Sequence, residues 1–114
     1  MELLWYCIRE MDADALERAL RMMDGERRRR VAELPNEDDR KRSAAGELLA
    51  RQAAAKRLNI APESVALRWD ENGKPYVEGA DFHVSVSHSG PYAVCAVGEK
   101  LLGVDVEVIR GAEE

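Results

Sequence analysis

The sequence reads Val-Ser-Val-Ser-His-Ser-Gly over residues 84–90 and Gly-Val-Asp-Val-Glu over residues 103–107. Both stretches alternate apolar and polar residues, which is typical of β-strands with one buried and one polar face. On the second stretch, Asp105 and Glu107 share a face, with Cα atoms about 6.5–7 Å apart. Two carboxylates at this spacing repel each other unless a cation lies between them. A hard divalent ion such as Mg²⁺ would satisfy both, and such ions often accompany a substrate phosphate. The pattern therefore predicts two strands and a candidate Mg²⁺-diphosphate site.

Around these strands, the pattern of apolar residues predicts an α+β fold. Strands are predicted at residues 2–9, 65–69, 74–77, 82–88, 92–97 and 101–109. Asp12 or Asp14 is expected to cap a helix that ends at Met23, and a short basic helix is predicted at 26–34. Asn36 or Asp38 is expected to cap a long helix over about 37–58, with Ala44, Leu48, Leu49, Ala53 and Leu58 on its inner face. We expect a small, mostly antiparallel sheet packed against this long helix in one domain, residues 1–114.

Length and composition narrow the class of protein. The chain has 114 residues, of which 46% are hydrophobic and 34% charged, and its net charge is −5. An acidic chain is a poor candidate for nucleic-acid binding, and no run is apolar enough to cross a membrane. Between Glu26 and Arg57 the basic residues outnumber the acidic ones, whereas the rest of the chain is acidic, which favours a local site for one compact anion. Cys7 and Cys95 are expected to be buried thiols in a cytoplasmic protein, since the N-terminus lacks the basic start of a signal peptide.

Four groups of residues are candidates for chemistry, and each also has an ordinary structural explanation. Asp105 and Glu107 also fit a solvent-facing strand edge, and residues 87–90 (Ser-His-Ser-Gly) also fit a polar strand end that runs into a turn. Residues 73–75 (Gly-Lys-Pro) also fit a turn followed by a proline. Arg27 and Arg30 lie one helical turn apart and suit a phosphate, but they also fit a solvated charged face. The order and spacing of the four groups are more informative than any one of them.

Taken together, residues 73–75, 84–90 and 103–107 resemble the N-terminal half of a 4′-phosphopantetheinyl transferase of the large, pseudo-dimeric (Sfp-type) class. The resemblance covers the chain from the basic helix near Arg27 onward and is expected to extend back to the first strand. It implies one half of a pseudo-two-fold fold. It also implies a reaction that moves the phosphopantetheine arm of coenzyme A onto a serine of an acyl or peptidyl carrier protein and releases 3′,5′-ADP.

The resemblance also implies a role for each candidate residue. Asp105 and Glu107 match the Mg²⁺ ligands that hold the diphosphate of coenzyme A, and Ser87 and His88 match residues that contact its phosphates. Asp105, Glu107 and His88 are accordingly the expected catalytic residues. The loop that cradles the adenine nucleotide is matched by Gly73, Lys74 and Pro75, and the 3′-phosphate site by Arg27, Arg30 and Ser43.

The sequence departs from the full family pattern in one large respect. Full members carry a second, similarly folded half with a Trp-x-x-Lys-Glu type motif, which supplies a third metal carboxylate, and no such motif occurs here. No residue is an evident general base for the acceptor hydroxyl. We therefore expect the chain to need a second half or self-association, through an exposed apolar face. The alternative is a non-catalytic module that binds coenzyme A or another nucleotide, or that has a regulatory role.

Overall fold

The structure is a computed structural model that describes residues 2–99. Within these residues, five strands and three α-helices follow one another in the order β1, α1, α2, α3, β2, β3, β4, β5. The strands are β1 Glu2–Cys7, β2 Leu67–Trp69, β3 Pro75–Val77, β4 His83–Ser89 and β5 Tyr92–Gly98. The helices are α1 Ala13–Met22, α2 Gly25–Ala32 and α3 Glu37–Leu58, and short 3₁₀ turns lie at Ile8–Glu10 and Pro62–Ser64.

Side-chain caps fix where the helices begin. The carboxylates of Asp12 and Asp24 accept the Ala15 and Arg27 backbone N–H groups at 2.8 and 2.9 Å. The Asn36 side chain accepts two backbone N–H groups at the start of α3. Each cap satisfies amide groups that have no partner within the helix. Asn59 ends α3 in the left-handed conformation, with φ of 56°. The predicted caps at Asp12 and Asn36 and the span of α3 are confirmed.

Helix α3 packs against the inner face of a three-stranded antiparallel sheet with the order β1-β5-β4. This contact is close because α3 presents small residues, including Ala44, Ala45 and Gly46, all of them buried. A Cβ atom placed on Gly46 would lie 2.9 Å from Cγ1 of Val86 on β4. Helices α1 and α2 pack on α3, so the core lies between the helices and the sheet.

Strands β2 and β3 form a separate two-stranded antiparallel sheet, which contacts the main sheet through β3 and β4. The α+β class, the antiparallel pairing and the long helix are thus confirmed, but the strands divide into two sheets. On the face of the main sheet opposite α3, Leu3 and Trp5 are 52% and 64% exposed. The Trp5 ring lies 6.4 Å from that of Tyr92, centroid to centroid.

Some predicted details were wrong. Leu58, predicted to face the core, is 41% exposed, because it is the last residue of α3 and lies past the elements that cover the helix. The short basic helix, predicted at 26–34, spans Gly25–Ala32, and the Asp24 side chain caps its start. The first strand stops at Cys7 rather than residue 9, and the chain turns there into a 3₁₀ segment.

The two cysteines lie at different positions of the sheet, since Cys7 pairs with Tyr92 on β5 whereas Cys95 is opposite Leu4 on β1. Both are free thiols, and burial raises the pKa of the Cys95 thiol to about 12. Among the helices of residues 2–99, none combines the length and the apolar character that a membrane span requires. The predicted strand at 101–109 lies outside the described residues.

Candidate functional site

The site begins at the N-terminus of α2, where two of the predicted arginines lie. Arg27 lies in the first turn and Arg30 one turn later, so both project from the same side of the helix. The Arg27 side chain is 23% exposed, and its guanidinium carbon lies 3.9 Å from the centroid of the Trp69 ring. Burial lowers the pKa of Arg27, and the carboxylate of Glu47 acts in the opposite direction. Arg30 is exposed to solvent.

The turn between β2 and β3 faces these arginines. Asp70 organises it, because its carboxylate accepts the backbone N–H groups of Asn72 and Lys74 at 2.8 and 2.9 Å. Gly73 has a φ of +77°, a backbone angle that residues with a Cβ atom rarely adopt, so glycine suits this position. Lys74 is exposed next to Gly73, and Pro75 is buried at the start of β3. The turn expected at Gly73 between two predicted strands is therefore confirmed.

Between α2 and this turn lies an open hollow of about 340 Å³, which we call the arginine hollow. It is lined by Asp24, Glu26, Arg27, Arg30, Arg68, Trp69, Asp70, Glu71, Gly73 and Tyr76. Of its carboxylates, those of Asp24 and Asp70 already accept backbone N–H groups. The structure thus brings together Arg27, Arg30 and Gly73, which are distant in the sequence.

Beneath the arginine hollow lies a buried network that the sequence analysis missed. Glu47, only 1% exposed, accepts the Trp69 indole N–H at 2.9 Å through Oε1 and the Arg51 Nε–H at 2.6 Å through Oε2. Nε of Arg27 lies 3.8 Å from Oε1 of Glu47. Arg51 also donates to the carbonyl oxygens of Pro62 and Val65. The signal in the sequence was an acid and a base four residues apart on the otherwise small, apolar face of α3.

The Ser-His-Ser-Gly segment forms the end of β4. His88 is on the face that carries Val84 and Val86, which pack towards α3, whereas Ser87 and Ser89 are on the opposite face. His88 therefore faces the helical side of the sheet, and Ser87 does not. A single ligand group reaching both residues would have to approach at the end of the strand.

Positive charge surrounds His88. Partial loss of hydration lowers the pKa of its imidazole, and Arg42 and Arg27 lower it further while Asp39 opposes them. The Arg42 guanidinium is fixed between the Gly90 carbonyl oxygen, at 3.0 Å, and the Asp39 carboxylate, at 2.7 Å. The basic groups of α2 and α3 thus share one electrostatic environment with the end of β4.

Arg42 also lines a second hollow of about 290 Å³, which lies between the start of α3 and the end of β4. Ser43 follows Arg42 in the second turn of α3 and is partly buried. It is one helical turn before Glu47 and so lies on the face of α3 that carries the buried network.

Asp105 and Glu107, the predicted Mg²⁺ ligands, lie outside the described residues. Over residues 2–99, no group of three or more His, Cys, Asp or Glu side chains is placed to hold a metal ion. The arrangement that is described can receive a compact anion, because arginine side chains and a glycine turn converge on one open hollow.

Comparison with known proteins gives a consistent family. Residues 10–100 match the family model described as 4′-phosphopantetheinyl transferase, N-terminal. The chain is 33% identical over 106 residues to a 4′-phosphopantetheinyl transferase of Bacillus subtilis, a match that covers 92% of this chain and 47% of that protein.

Other relatives carry related names. The chain is 42% identical over 74 residues to the 4′-phosphopantetheinyl transferase gsp of Aneurinibacillus migulanus, which covers 65% of this chain and 31% of that protein. It is 32% identical over 93 residues to the L-aminoadipate-semialdehyde dehydrogenase-phosphopantetheinyl transferase of Xenopus laevis, which covers 75% and 31%. The chain spans less than half the length of each of these relatives.

Proposed function

The chain belongs to the 4′-phosphopantetheinyl transferase family, and we propose that it is the N-terminal, coenzyme A-binding half of such an enzyme. In the proposed reaction, a serine hydroxyl of an acyl or peptidyl carrier protein attacks the phosphorus that bears the pantetheine arm. The bond from that phosphorus to the bridging oxygen breaks, 3′,5′-ADP leaves with that oxygen and its electron pair, and the hydroxyl proton passes to solvent. The names of the relatives support the reaction, and the arginine hollow with the turn at Gly73 supports the binding role.

The arginine hollow is the observation that carries the proposal. At about 340 Å³ it lies at the small end of ligand pockets, about 300–1,000 Å³, so it suits one end of a nucleotide rather than all of coenzyme A. We assign the 3′-phosphate to Arg27, Arg30 and Ser43, of which the two arginines line the hollow. Arginine is suited to this task because its planar guanidinium can bind two phosphate oxygens at once.

The adenine nucleotide is assigned to the turn at Gly73, Lys74 and Pro75. Gly73 lines the arginine hollow, and its left-handed backbone leaves an edge without a side chain. Lys74 is exposed beside it and can reach a phosphate. The end of β4, with Ser87 and His88, is assigned to the phosphates nearer the pantetheine arm. The positive surroundings of His88 support this, since they attract an anion whether or not the imidazole is charged.

Mg²⁺ is proposed to bind Asp105 and Glu107 next to the diphosphate. Two carboxylates fit the ion, because Mg²⁺ prefers oxygen ligands and commonly binds one or two carboxylates together with substrate phosphates. When bound, the ion would neutralise charge on the diphosphate. The protein residues assigned above would bind and orient coenzyme A.

A partner surface is proposed on the face of the main sheet opposite α3. Leu3 and Trp5 expose large apolar side chains there, which supports contact with a second half-domain or a second copy of this chain. The carrier protein would then bind to the enzyme formed by this chain and its partner. We also propose a cytoplasmic location, in keeping with the two unpaired thiols.

Calorimetry with coenzyme A, with and without Mg²⁺, tests the binding role. Arg27→Ala is expected to weaken binding about ten- to a hundredfold, the effect of losing one or two charge-assisted hydrogen bonds. Arg29→Ala is the matched control, because Arg29 is on the same helix, is exposed and does not line the arginine hollow. Absence of coenzyme A binding, even with a second half supplied, would refute the proposal.

Transfer is tested by the intact mass of an apo acyl carrier protein after incubation with this chain, coenzyme A and Mg²⁺. A gain of one phosphopantetheine that disappears in Asp105→Ala supports a site completed by self-association. Binding without transfer even when a second half is supplied supports the non-catalytic alternative.

A further inference from the structure

The side chains of Trp69 and Glu47 hold Arg27 from two sides, and the family resemblance assigns a role to neither of them. Its guanidinium stacks on the Trp69 ring at 3.9 Å, and its Nε lies 3.8 Å from Oε1 of Glu47. That Nε is buried and donates no hydrogen bond within the described part of the chain. Nε of Arg27 is therefore held on the buried side, and the terminal nitrogens of the guanidinium can bind a ligand in the arginine hollow.

The Trp69 ring is in turn held in place. Its indole N–H donates to Oε1 of Glu47 at 2.9 Å, and the other oxygen of Glu47 is held by Arg51 at 2.6 Å. Arg51 is anchored to the backbone through the carbonyl oxygens of Pro62 and Val65, each at 3.0 Å. The side chains of Glu47 and Arg51 are 2% and 5% exposed. The backbone thus fixes Arg51, Arg51 fixes Glu47, and Glu47 fixes the ring.

We propose that Trp69, oriented by Glu47, is a positioning residue that holds the Arg27 guanidinium ready for the 3′-phosphate of coenzyme A. The inference rests on the proposed function, which assigns that phosphate to Arg27. A free arginine loses side-chain entropy when it becomes ordered around an anion, so stacking it beforehand lowers the cost of binding. We expect Trp69 to act on the anion through Arg27, because the Arg27 guanidinium is stacked on its ring.

The test measures two affinities by calorimetry, one for coenzyme A and one for dephospho-coenzyme A, which lacks the 3′-phosphate. The readout is the affinity for coenzyme A divided by the affinity for dephospho-coenzyme A. A partly unfolded preparation lowers both affinities by the same factor, so the ratio is insensitive to a loss of stability. Trp69→Leu is expected to lower this ratio about three- to tenfold, the range for loss of one cation–π contact. Trp69→Phe keeps an aromatic face and is expected to give a ratio between the wild type and Trp69→Leu.

Two controls show whether the effect passes through Arg27. Phe82→Leu removes an aromatic ring that lies 5.4 Å from the guanidinium of Arg57, outside the arginine hollow, and is expected to leave the ratio unchanged. In an Arg27→Ala background, Trp69→Leu is expected to cause no further change in the ratio. A continued fall in that background would mean that Trp69 touches the anion itself, which would overturn the inference.

An unchanged ratio in Trp69→Leu, with both ligands still bound, would overturn the inference and leave the proposed function intact. A wild-type chain that binds neither ligand, even with a second half, would overturn the proposed function and this inference with it.

Discussion

Gly46→Ala tests the close contact between α3 and the sheet. The added Cβ would lie 2.9 Å from Cγ1 of Val86, a distance that ordinary carbon atoms do not tolerate. Valine has few rotamers, so β4 or α3 must shift, and overpacking of this kind costs about 1–3 kcal/mol. Alanine is the better helix former by about 1 kcal/mol. We therefore expect a net loss of about 1 kcal/mol in the free energy of unfolding.

The double variant separates these two contributions. Val86→Ala removes the atom that would clash and itself destabilises the protein. In that background Gly46→Ala is expected to stabilise by about 1 kcal/mol, since only the helix preference remains. The sign of the substitution should thus reverse, with a coupling free energy of about 2 kcal/mol.

Urea unfolding followed by circular dichroism measures each free energy. Gly25→Ala is the matched control, because Gly25 is also helical and a Cβ atom placed on it would meet nothing within 4 Å. It is expected to leave stability unchanged or raised. A Gly46→Ala effect of the same sign and size in both backgrounds would refute the reasoning from close packing.

Three further predictions concern charge and capping. Glu47→Gln is expected to destabilise by about 3–5 kcal/mol, measured by thermal unfolding, because it leaves Arg51 buried without its counter-charge. A loss under about 1 kcal/mol would contradict this. Asn36→Ala is expected to cost about 1 kcal/mol, since it removes the acceptor for two backbone N–H groups of α3, and urea unfolding would reveal it. The pKa of His88 is expected below its usual value in an NMR titration and to rise in Arg42→Gln; an unmoved midpoint would exclude the electrostatic effect of Arg42. The pKa of His88 is lower in the folded chain than in the unfolded chain, so the unfolded chain binds the proton more readily. The stability that His88 contributes is therefore fully present above the unfolded pKa and is lost as the pH falls through the folded pKa.

Local signals predicted much of the fold. Asn36 and Asn59 bracket α3 by side-chain capping and by a left-handed turn, and both effects depend on neighbours in the sequence. The turn at Gly73 before β3 is similarly local. Leu58 was placed wrongly because helical periodicity says nothing about where the opposing surface stops.

The candidate site was predictable only in part. The motif at residues 73–75 and the pair Arg27 and Arg30 could be recognised as separate groups, but their convergence on one hollow depends on how α2 packs beside the β2–β3 turn. Glu47 and Trp69 carry no motif, and their hydrogen bond joins residues that only tertiary packing brings together. The roles of Asp105 and Glu107 stay predictions, because these residues lie outside the described part of the chain.

The pairing of β1 with β5 has a consequence for biosynthesis. Glu2 is opposite Val97 and Cys7 is opposite Tyr92, so β1 pairs with a strand that is synthesised only after α1, α2 and α3. The helices between them can form as soon as they leave the ribosome, because their contacts are local. Until β5 emerges, the apolar side chains of β1 remain without their partner strand and are available to chaperones. The helical segment is therefore expected to become ordered during translation before the β1-β5-β4 sheet closes.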